Sequence, residues 1–295
     1  MKKLDYYILD VFSDEQYKGN PLSVVLMEEE LTFAQFKNIA REFGYSETSF
    51  VRYSVADNAY KVRSFTPAGV EVGGAGHNLL GAICLALLKG WEIFKGQSEE
   101  QFVMMADEKI HIAVRYDEAG LPFVGMKQQT ATMQKIVPAE IIARAIGLAA
   151  EDVCIKDWQP TVVKTEVAHL MVPVKDIDVL NRAVVNKPLL HNTVEQFEFE
   201  GCYLFTIDAS KPGYIAEARF FNPGIGIDED AATGSAAGPL IGYLLNHNYI
   251  TAGGDYTILQ GVKMQQQSTI HAKVVDDGIW ISGTSVVVME GRLYV

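Results

Sequence analysis

One short pattern occurs twice in this chain and limits its fold more than any other feature. The pattern Arg-x-Phe-x-Pro begins at Arg63 and again at Arg219, 156 positions later. Each copy is followed by a loop with glycine and acidic residues, and then by small residues that lead into an apolar helix: Ala-Gly-His-Asn at 75–78 and Thr-Gly-Ser-Ala at 233–236. Because the spacing is close to half of the 295 residues, it predicts two similar lobes from internal duplication.

Acidic residues exceed basic ones in the composition. Lys and Arg total 25 and Asp and Glu total 37, so the formal net charge is −12. A surface of that sign repels nucleic-acid phosphates and anionic lipid, because both bind proteins mainly through cations. The three cysteines are widely spaced and do not resemble a disulfide framework. We therefore expect a cytoplasmic protein with neither nucleic-acid nor membrane partners.

Short apolar segments around a few helices predict an α+β protein with mostly antiparallel sheets. Thr32 and Gln35 have the spacing of a capping box, which opens a helix that ends at Gly44. A second helix at 78–88 is apolar on every side and must be buried all round. Strands are expected at 4–12, 22–27, 48–53 and 60–65.

The domain boundary is expected near the middle of the chain. A polar stretch at 127–135 has no apolar periodicity and is interpreted as the link between the lobes. The N-terminal lobe is then 1–127, completed by a last strand at about 284–295, and the C-terminal lobe is 128–283.

Two apolar helices that each begin at a glycine indicate a site for an anion. The helix starts at Gly76-His77 and Gly234-Ser235 present backbone N–H groups and the positive end of a helix dipole. If a pseudo-twofold axis relates the lobes, both starts face one cleft, which suits a small carboxylate. The alternative, which stays open here, is that the glycines only let buried helices begin close to neighbouring backbone.

The polar residues near these starts allow functional and structural interpretations. His77 is expected to be neutral, because a helix N-terminus disfavours a cation. Charge–dipole complementarity suffices for at least two of the three carboxylates at 228–230. Composition alone favours a solvated side chain for Glu47. The histidines lack metal-ligand spacing and the glycines lack a nucleotide-binding pattern, so neither a metal nor a cofactor is expected.

Several motifs match those of a known family. They are Gly-Asn-Pro at 19–21, Ser-Glu-Thr-Ser-Phe at 46–50, Phe-Thr-Pro at 65–67, Gly-His at 76–77 and Glu-Asp-Ala-Ala-Thr-Gly-Ser-Ala at 229–236. With them the chain resembles the PhzF-like proteins, the phenazine-biosynthesis isomerase family that shares its fold with diaminopimelate epimerase. The resemblance implies two pseudo-symmetric lobes, each a curved, mostly antiparallel sheet around a central helix, with the active site in the cleft between them.

The resemblance also implies roles for particular residues. Glu47 is the general base and then the general acid, and His77 and Asp230 hold the substrate. The groups that anchor the substrate carboxylate lie at Gly76, Gly234 and Ser235. The implied protein is a cofactor-independent isomerase of a small carboxylate, and family analogy adds a homodimer.

Two other functions stay open at this point. One is a non-catalytic protein that binds a small anionic metabolite on the same scaffold. The other, less favoured, is an amino-acid epimerase or racemase, since Cys84, Cys154 and Cys202 all lie outside the two helix-start loops. The segment 261–268 lacks the Arg and Pro that many relatives carry there. This departure leaves the identity of the substrate open.

Overall fold

The computed structural model describes residues 2–74, 76–91, 101–116, 120–276 and 278–295. The fold is α+β, as the sequence predicts. The helices in these residues are α1 (Phe33–Phe43), α2 (His77–Leu88), α3 (Ala139–Ala145), α4 (Ile177–Arg182), α5 (Lys187–Phe197) and α6 (Gly234–Asn246). The strands are β1 (Lys3–Val11), β2 (Asn20–Leu26), β3 (Thr48–Ser54), β4 (Ala59–Phe65), β5 (Glu71–Val72), β6 (Phe102–Met105), β7 (Glu108–Tyr116), β8 (Pro122–Gln128), β9 (Thr132–Ile136), β10 (Thr161–Lys164), β11 (Ala168–Pro173), β12 (Gly201–Thr206), β13 (Ala216–Asn222), β14 (Ile227–Asp230), β15 (Asp255–Gln260), β16 (Ser268–Val275), β17 (Gly278–Gly283) and β18 (Ser285–Tyr294).

The chain divides into two compact units. Unit 1 comprises Met1–Lys127 together with Ser282–Val295, and unit 2 comprises Gln128–Ile281. In unit 1, β1 pairs antiparallel with β18 on one side and with β2 on the other. β2 then runs parallel to β3, β3 antiparallel to β4, and β4 parallel to β6, which continues antiparallel into β7. β5 is a short antiparallel addition to β4.

Unit 2 repeats this order of strands and directions. β10 pairs antiparallel with β9 and β11, β11 runs parallel to β12, and β12 antiparallel to β13. β13 carries the short antiparallel β14 and runs parallel to β15, which continues antiparallel into β16. The duplication that the repeated pattern indicates is therefore present in the strand topology.

The register of the two sheets defines equivalent positions in the two units. The matching cross-strand pairs are Phe50–Arg63 with Leu204–Arg219, and Val62–Met105 with Ala218–Gln260. Arg63 and Arg219 are thus equivalent, as the repeated pattern predicts. The second of these matching pairs makes Met105 of unit 1 equivalent to Gln260 of unit 2.

A buried helix lies at the centre of each unit. In α2 the side chains from His77 to Ala86 are buried, and α2 contacts strands β1, β2, β3, β4 and β18. In α6 the run from Ala236 to Leu244 is buried, and α6 contacts β9, β10, β11 and β16. These helices are apolar all round because strands surround them, as expected for 78–88.

The other helices cover the outer faces of the sheets. The capping box predicted at Thr32 and Gln35 is present, and Gly44 ends α1 in the left-handed conformation. In unit 2 the sheet packs against α3, α4 and α5 through a core that includes Ile142, Leu180 and Leu204. No helix in the described ranges combines the length and apolar character that a membrane crossing demands.

The stretch 127–135, interpreted as the link between the lobes, is strand for most of its length, and the boundary between the two units falls at its start. β8 extends to Gln128, and β9 covers Thr132–Ile136 and pairs with β10. β9 is largely exposed, with burial only intermediate at Met133. A strand that is exposed on both faces has no apolar alternation, which is why its sequence does not predict a strand.

Candidate active site

Glu47 occupies the turn that leads from α1 into β3. It immediately precedes Thr48, the first residue of β3, and it is only 8% exposed. The start of this strand is polar and buried. The hydroxyl groups of Thr48 and Ser23 have no exposed surface and are hydrogen-bonded to each other, with their oxygens 2.7 Å apart. The solvated side chain that composition favours for Glu47 is therefore wrong. Because β3 pairs with both β2 and β4, Glu47 stands at the start of an interior strand of unit 1.

His77 is the first residue of α2 and belongs to the same unit. Its side chain is 5% exposed, and its Nε2 lies 3.4 Å from Oγ of Ser46, the residue before Glu47. Burial lowers the pKa of His77 to about 4, so the imidazole is neutral at pH 7, as the helix start predicts. A neutral imidazole at this place can make directional hydrogen bonds without adding a charge.

Two backbone N–H groups at the start of α2 are hydrogen-bonded to a side chain of the same segment. Oδ1 of Asn78 accepts hydrogen bonds from the N–H groups of Gly76 and Leu79, both at 2.8 Å. The N–H of Gly76, which the resemblance places near the substrate carboxylate, is thus engaged within the loop. In the first turn, the N–H groups of His77 and Asn78 have no acceptor inside the helix.

Asp230 ends β14 in unit 2 and is 6% exposed. Thr233, just before α6, donates its hydroxyl to Oδ2 of Asp230 at 2.5 Å. The side-chain amide of Gln260 donates to the backbone oxygen of Asp230 at 2.8 Å and to Oγ1 of Thr233 at 3.1 Å. The carboxylate is therefore fixed by a loop whose side chains are hydrogen-bonded to one another.

Gly234 and Ser235 form the first turn of α6. The carbonyl of Gly234 accepts a hydrogen bond of 2.9 Å from the buried side chain of Gln128. Ser235 is partly exposed, unlike its neighbours in the turn. The N–H groups of Gly234 and Ser235 lack an acceptor within the helix, which is the property that the sequence predicts for an anion site.

Asp228 and Glu229 each bind a basic side chain, which the charge–dipole interpretation did not predict. Both oxygens of Glu229 accept hydrogen bonds from Arg219, each 2.8 Å long. Asp228 forms an ion pair of 2.6 Å with Lys187. The reason is that β14 pairs with β13, so that its side chains meet neighbouring strands and helices before the chain reaches α6.

The atypical segment 261–268 lies beside the Asp230 loop. Gly261 has a φ of 76°, and a Cβ at this position would lie 2.7 Å from the carbonyl oxygen of Ala231. Val262–Met264 then forms a single 3-10 turn. The segment that lacks the Arg and Pro of many relatives therefore begins close in space to the loop of Asp230.

Thr233 and Gln260 were missed from sequence, although Thr233 stands inside the family motif at 229–236.

Two of the three cysteines lack the properties of catalytic thiols. Cys84 and Cys202 are fully buried, and burial raises the pKa of Cys84 to about 12 and also raises the pKa of Cys202. A thiol with a raised pKa is a poor nucleophile and a poor base at neutral pH. Across the described residues, no three His, Cys, Asp or Glu side chains gather as a metal-binding group.

Known proteins resemble this chain over its whole length. The sequence profile of the PhzC-PhzF family, described as phenazine biosynthesis-like protein, matches residues 9–291. A Pseudomonas aeruginosa protein named trans-2,3-dihydro-3-hydroxyanthranilate isomerase is 30% identical, with 98% of this chain and 99% of that protein covered. The crystal structure of a Bacillus anthracis phenazine biosynthesis protein of the PhzF family is similar with a TM-score of 0.88 and 24% identity, covering 100% of both chains.

A more distant structure extends the likeness of fold. The hydroxyproline epimerase of Agrobacterium vitis is similar with a TM-score of 0.64 and 10% identity, covering 99% of this chain and 91% of that one. At that identity the match concerns architecture alone, and it joins the fold to that of epimerases, as expected. The family match over residues 9–291 and the relative of 30% identity show that this chain belongs to the PhzC-PhzF family and is an isomerase of that family.

Proposed function

We propose that this protein moves a proton between two carbon atoms of a small carboxylate without a cofactor, and that Glu47 is its single acid and base. One observation carries the proposal. Glu47 is a buried carboxyl whose chain neighbour Ser46 lies 3.4 Å from a neutral histidine, while the equivalent position of unit 2 has no side chain and no room for one.

The equivalence follows from strand register. Phe50 and Leu204 are equivalent, so counting back three residues in each strand matches Glu47 with Gly201. A Cβ built on Gly201 would lie 2.2 Å from Cζ of Phe220, far inside van der Waals contact. The N–H of Gly201 donates to Nδ1 of the buried His169 at 3.2 Å. The rings of unit 2 thus fill the space that the Glu47 side chain has in unit 1.

A single carboxyl supports an isomerase that returns the proton it removes. As a carboxylate, Glu47 takes a proton from one carbon, and the electron pair of that C–H bond passes into the conjugated substrate. As a carboxylic acid, Glu47 then gives the proton to a second carbon, so charge and atoms balance without a redox partner. A positioned acid/base of this kind contributes roughly 10²–10⁴-fold to the rate.

The remaining candidate residues have complementary roles in this proposal. Asp230, an acceptor when ionised, suits a substrate N–H or O–H group. The N–H groups at the starts of α2 and α6, near Gly76 and at Gly234 and Ser235, suit the substrate carboxylate and the negative charge that develops during transfer. His77 is neutral, so it can hydrogen-bond the substrate without adding a positive charge, which would make the Glu47 carboxylate a weaker base.

Deuterium incorporation tests the proposal directly. The first probe is trans-2,3-dihydro-3-hydroxyanthranilate, the compound in the name of the Pseudomonas aeruginosa relative, followed by other small unsaturated carboxylates. In D₂O we expect wild type to isomerise the probe and to introduce deuterium, because the protonated Glu47 exchanges with solvent in part of the turnovers, and we expect Glu47→Gln to lose roughly 10²–10⁴-fold in this rate.

Glu217→Gln is the matched control, because Glu217 is also buried, at 2% exposure, and accepts hydrogen bonds from Ser210. This variant should exchange like wild type. Equal exchange by wild type and Glu47→Gln would remove Glu47 from its role. Thermal stabilisation of wild type by a probe that it never exchanges would instead favour a non-catalytic binding protein.

A further inference from the structure

A chain of buried side chains leads to Asp230 in unit 2. Gln260 has no exposed surface, and its Oε1 accepts from the hydroxyl of Tyr203 at 2.8 Å and from the N–H of Thr233 at 3.1 Å. Its Nε2 donates to Oγ1 of Thr233 at 3.1 Å, and Thr233 in turn donates to the Asp230 carboxylate at 2.5 Å. The donors therefore run in one direction, from Tyr203 through Gln260 and Thr233 to Asp230.

The direction of this chain fixes the rotation of each group. A tyrosine hydroxyl donates to Oε1, so the amide of Gln260 must present Nε2 to Thr233. The N–H from Gln260 then occupies an acceptor position on Oγ1 of Thr233, and the only proton of that hydroxyl is left for Asp230. Because each group is held by the one before it, the carboxylate has one favoured orientation.

Unit 1 shows that the fold does not require this chain. Met105 stands at the position of Gln260 and is buried at 1% exposure. Ser49 stands at the position of Tyr203, since Phe50 and Leu204 are equivalent. Val72 corresponds to Asp230, because each follows the glutamate that binds the equivalent arginine. Buried polar groups are costly unless fully paired, so their presence in one unit only needs a local reason.

We infer that Tyr203, Gln260 and Thr233 are positioning residues that orient the Asp230 carboxylate toward the substrate. The inference rests on the proposed function, in which Asp230 holds a donor group of the substrate. It assigns to these three residues an effect on substrate binding that is transmitted through Asp230 and involves no contact of their own with the reacting atoms.

Three variants interrupt the chain at one residue each: Tyr203→Phe removes one hydrogen bond, Thr233→Val removes two and Gln260→Met removes four. With trans-2,3-dihydro-3-hydroxyanthranilate as probe, we expect KM to rise about tenfold in Tyr203→Phe, the effect of one buried hydrogen bond, and at least as much in the other two variants, while kcat changes little. Thr233→Ser keeps the hydroxyl and should restore the wild-type KM. In an Asp230→Asn background the three changes should add little further, because they act through that carboxylate.

Tyr243→Phe is the matched control for a buried hydroxyl of the same unit. Tyr243 has no exposed surface and donates to the backbone oxygen of Gln159 at 2.8 Å, away from Asp230. It should lose stability as Tyr203→Phe does but keep its KM. A KM for Tyr203→Phe and Gln260→Met that equals that of Tyr243→Phe overturns the inference, as does a Thr233→Ser variant no better than Thr233→Val.

Amide hydrogen exchange separates failure of this inference from failure of the proposed function. If wild type does not isomerise the probe, the proposed activity on it is refuted, and the positioning chain is judged without substrate. Exchange at the Thr233 amide should then be faster in Gln260→Met and Tyr203→Phe than in wild type and Tyr243→Phe. An unchanged rate in both variants shows that the chain does not hold the loop and overturns the inference.

Discussion

The two arginines of the repeated pattern occupy equivalent strand positions in different surroundings. Arg63 donates to both oxygens of Glu71 and also to Glu30, and its side chain is 31% exposed. Arg219 donates to both oxygens of Glu229, and its side chain is only 8% exposed. Both guanidinium groups lie over phenylalanine rings, so the local arrangement was kept while its solvent access changed.

The difference comes from the helices inserted between equivalent strands of the two repeats. Unit 1 has the single helix α1 between β2 and β3, whereas unit 2 has α4 and α5 between β11 and β12. In unit 2 the guanidinium of Arg219 also donates to the carbonyls of Leu180 and Ala183 at the end of α4. The ion pair is therefore about one third exposed in unit 1 and largely buried in unit 2, where α4 covers it. The frame of strands stayed the same, and the polar groups of the candidate site diverged upon it.

The largest stability difference is expected from removing the two arginines. Arg219→Met leaves Glu229, whose side chain is 19% exposed, and two helix-end carbonyls without their donor, which should cost about 3 kcal/mol. Arg63→Met should cost about 1 kcal/mol or less, because Glu71 and Glu30 are 33% and 41% exposed and regain water. Chemical unfolding of both variants measures the difference. Equal losses would mean that the enclosure by α4 has no energetic effect.

A smaller effect is expected from adding one methyl group to unit 2. Gly201→Ala forces a Cβ to within 2.2 Å of the Phe220 ring, and this ring is 3% exposed and packed against His169 and Tyr203. Overpacking of this kind costs about 2 kcal/mol. Phe220→Leu in the same chain should recover part of the loss, measured by calorimetry. If Gly201→Ala is as stable as wild type, the space is not filled and the contrast with Glu47 fails.

The last effect concerns pH. The folded-state pKa of His77, about 4, lies below its usual value near 6.5. Between these two pH values His77 is protonated in the unfolded chain and neutral in the folded chain. The free energy of unfolding therefore falls as pH falls through this window, by up to about 1.4 kcal/mol per pH unit. His77→Asn should show a shallower loss than wild type between pH 7 and 5. His169, with a pKa also lowered to about 4 by burial, retains its share in both proteins. Identical slopes would contradict the burial of a neutral His77.

Features that depend on nearby residues were predictable from the sequence. The Thr32–Gln35 capping box and the all-apolar α2 follow from spacing along one helix. The repeated Arg-x-Phe-x-Pro pattern gave the duplication, because equivalent strands keep equivalent side chains. Motif resemblance supplied Glu47, His77 and Asp230, for which composition alone favoured ordinary structural roles.

Features that depend on distant partners were not predictable. The hydrogen bond from Gln260 to Thr233 joins residues 27 positions apart, and the one from Tyr203 to Gln260 joins residues 57 positions apart. No periodicity marks a buried glutamine, whose role depends on which strand lies beside it. The partner of Glu229 was missed for the same reason, because the link to Arg219 exists only once β13 and β14 pair.

The pairing of β18 with β1 has a consequence for synthesis on the ribosome. β1 is flanked by β2 and β18, and the two ends of the chain are joined by hydrogen bonds between Lys2 and Val295. All of Gln128–Ile281 must be translated before β18 emerges, which takes roughly 8–30 s. During that interval β1 is a nascent strand with one open edge, able to pair with other chains. Unit 2 is continuous in sequence and meets no such delay, so the half that begins first is completed last.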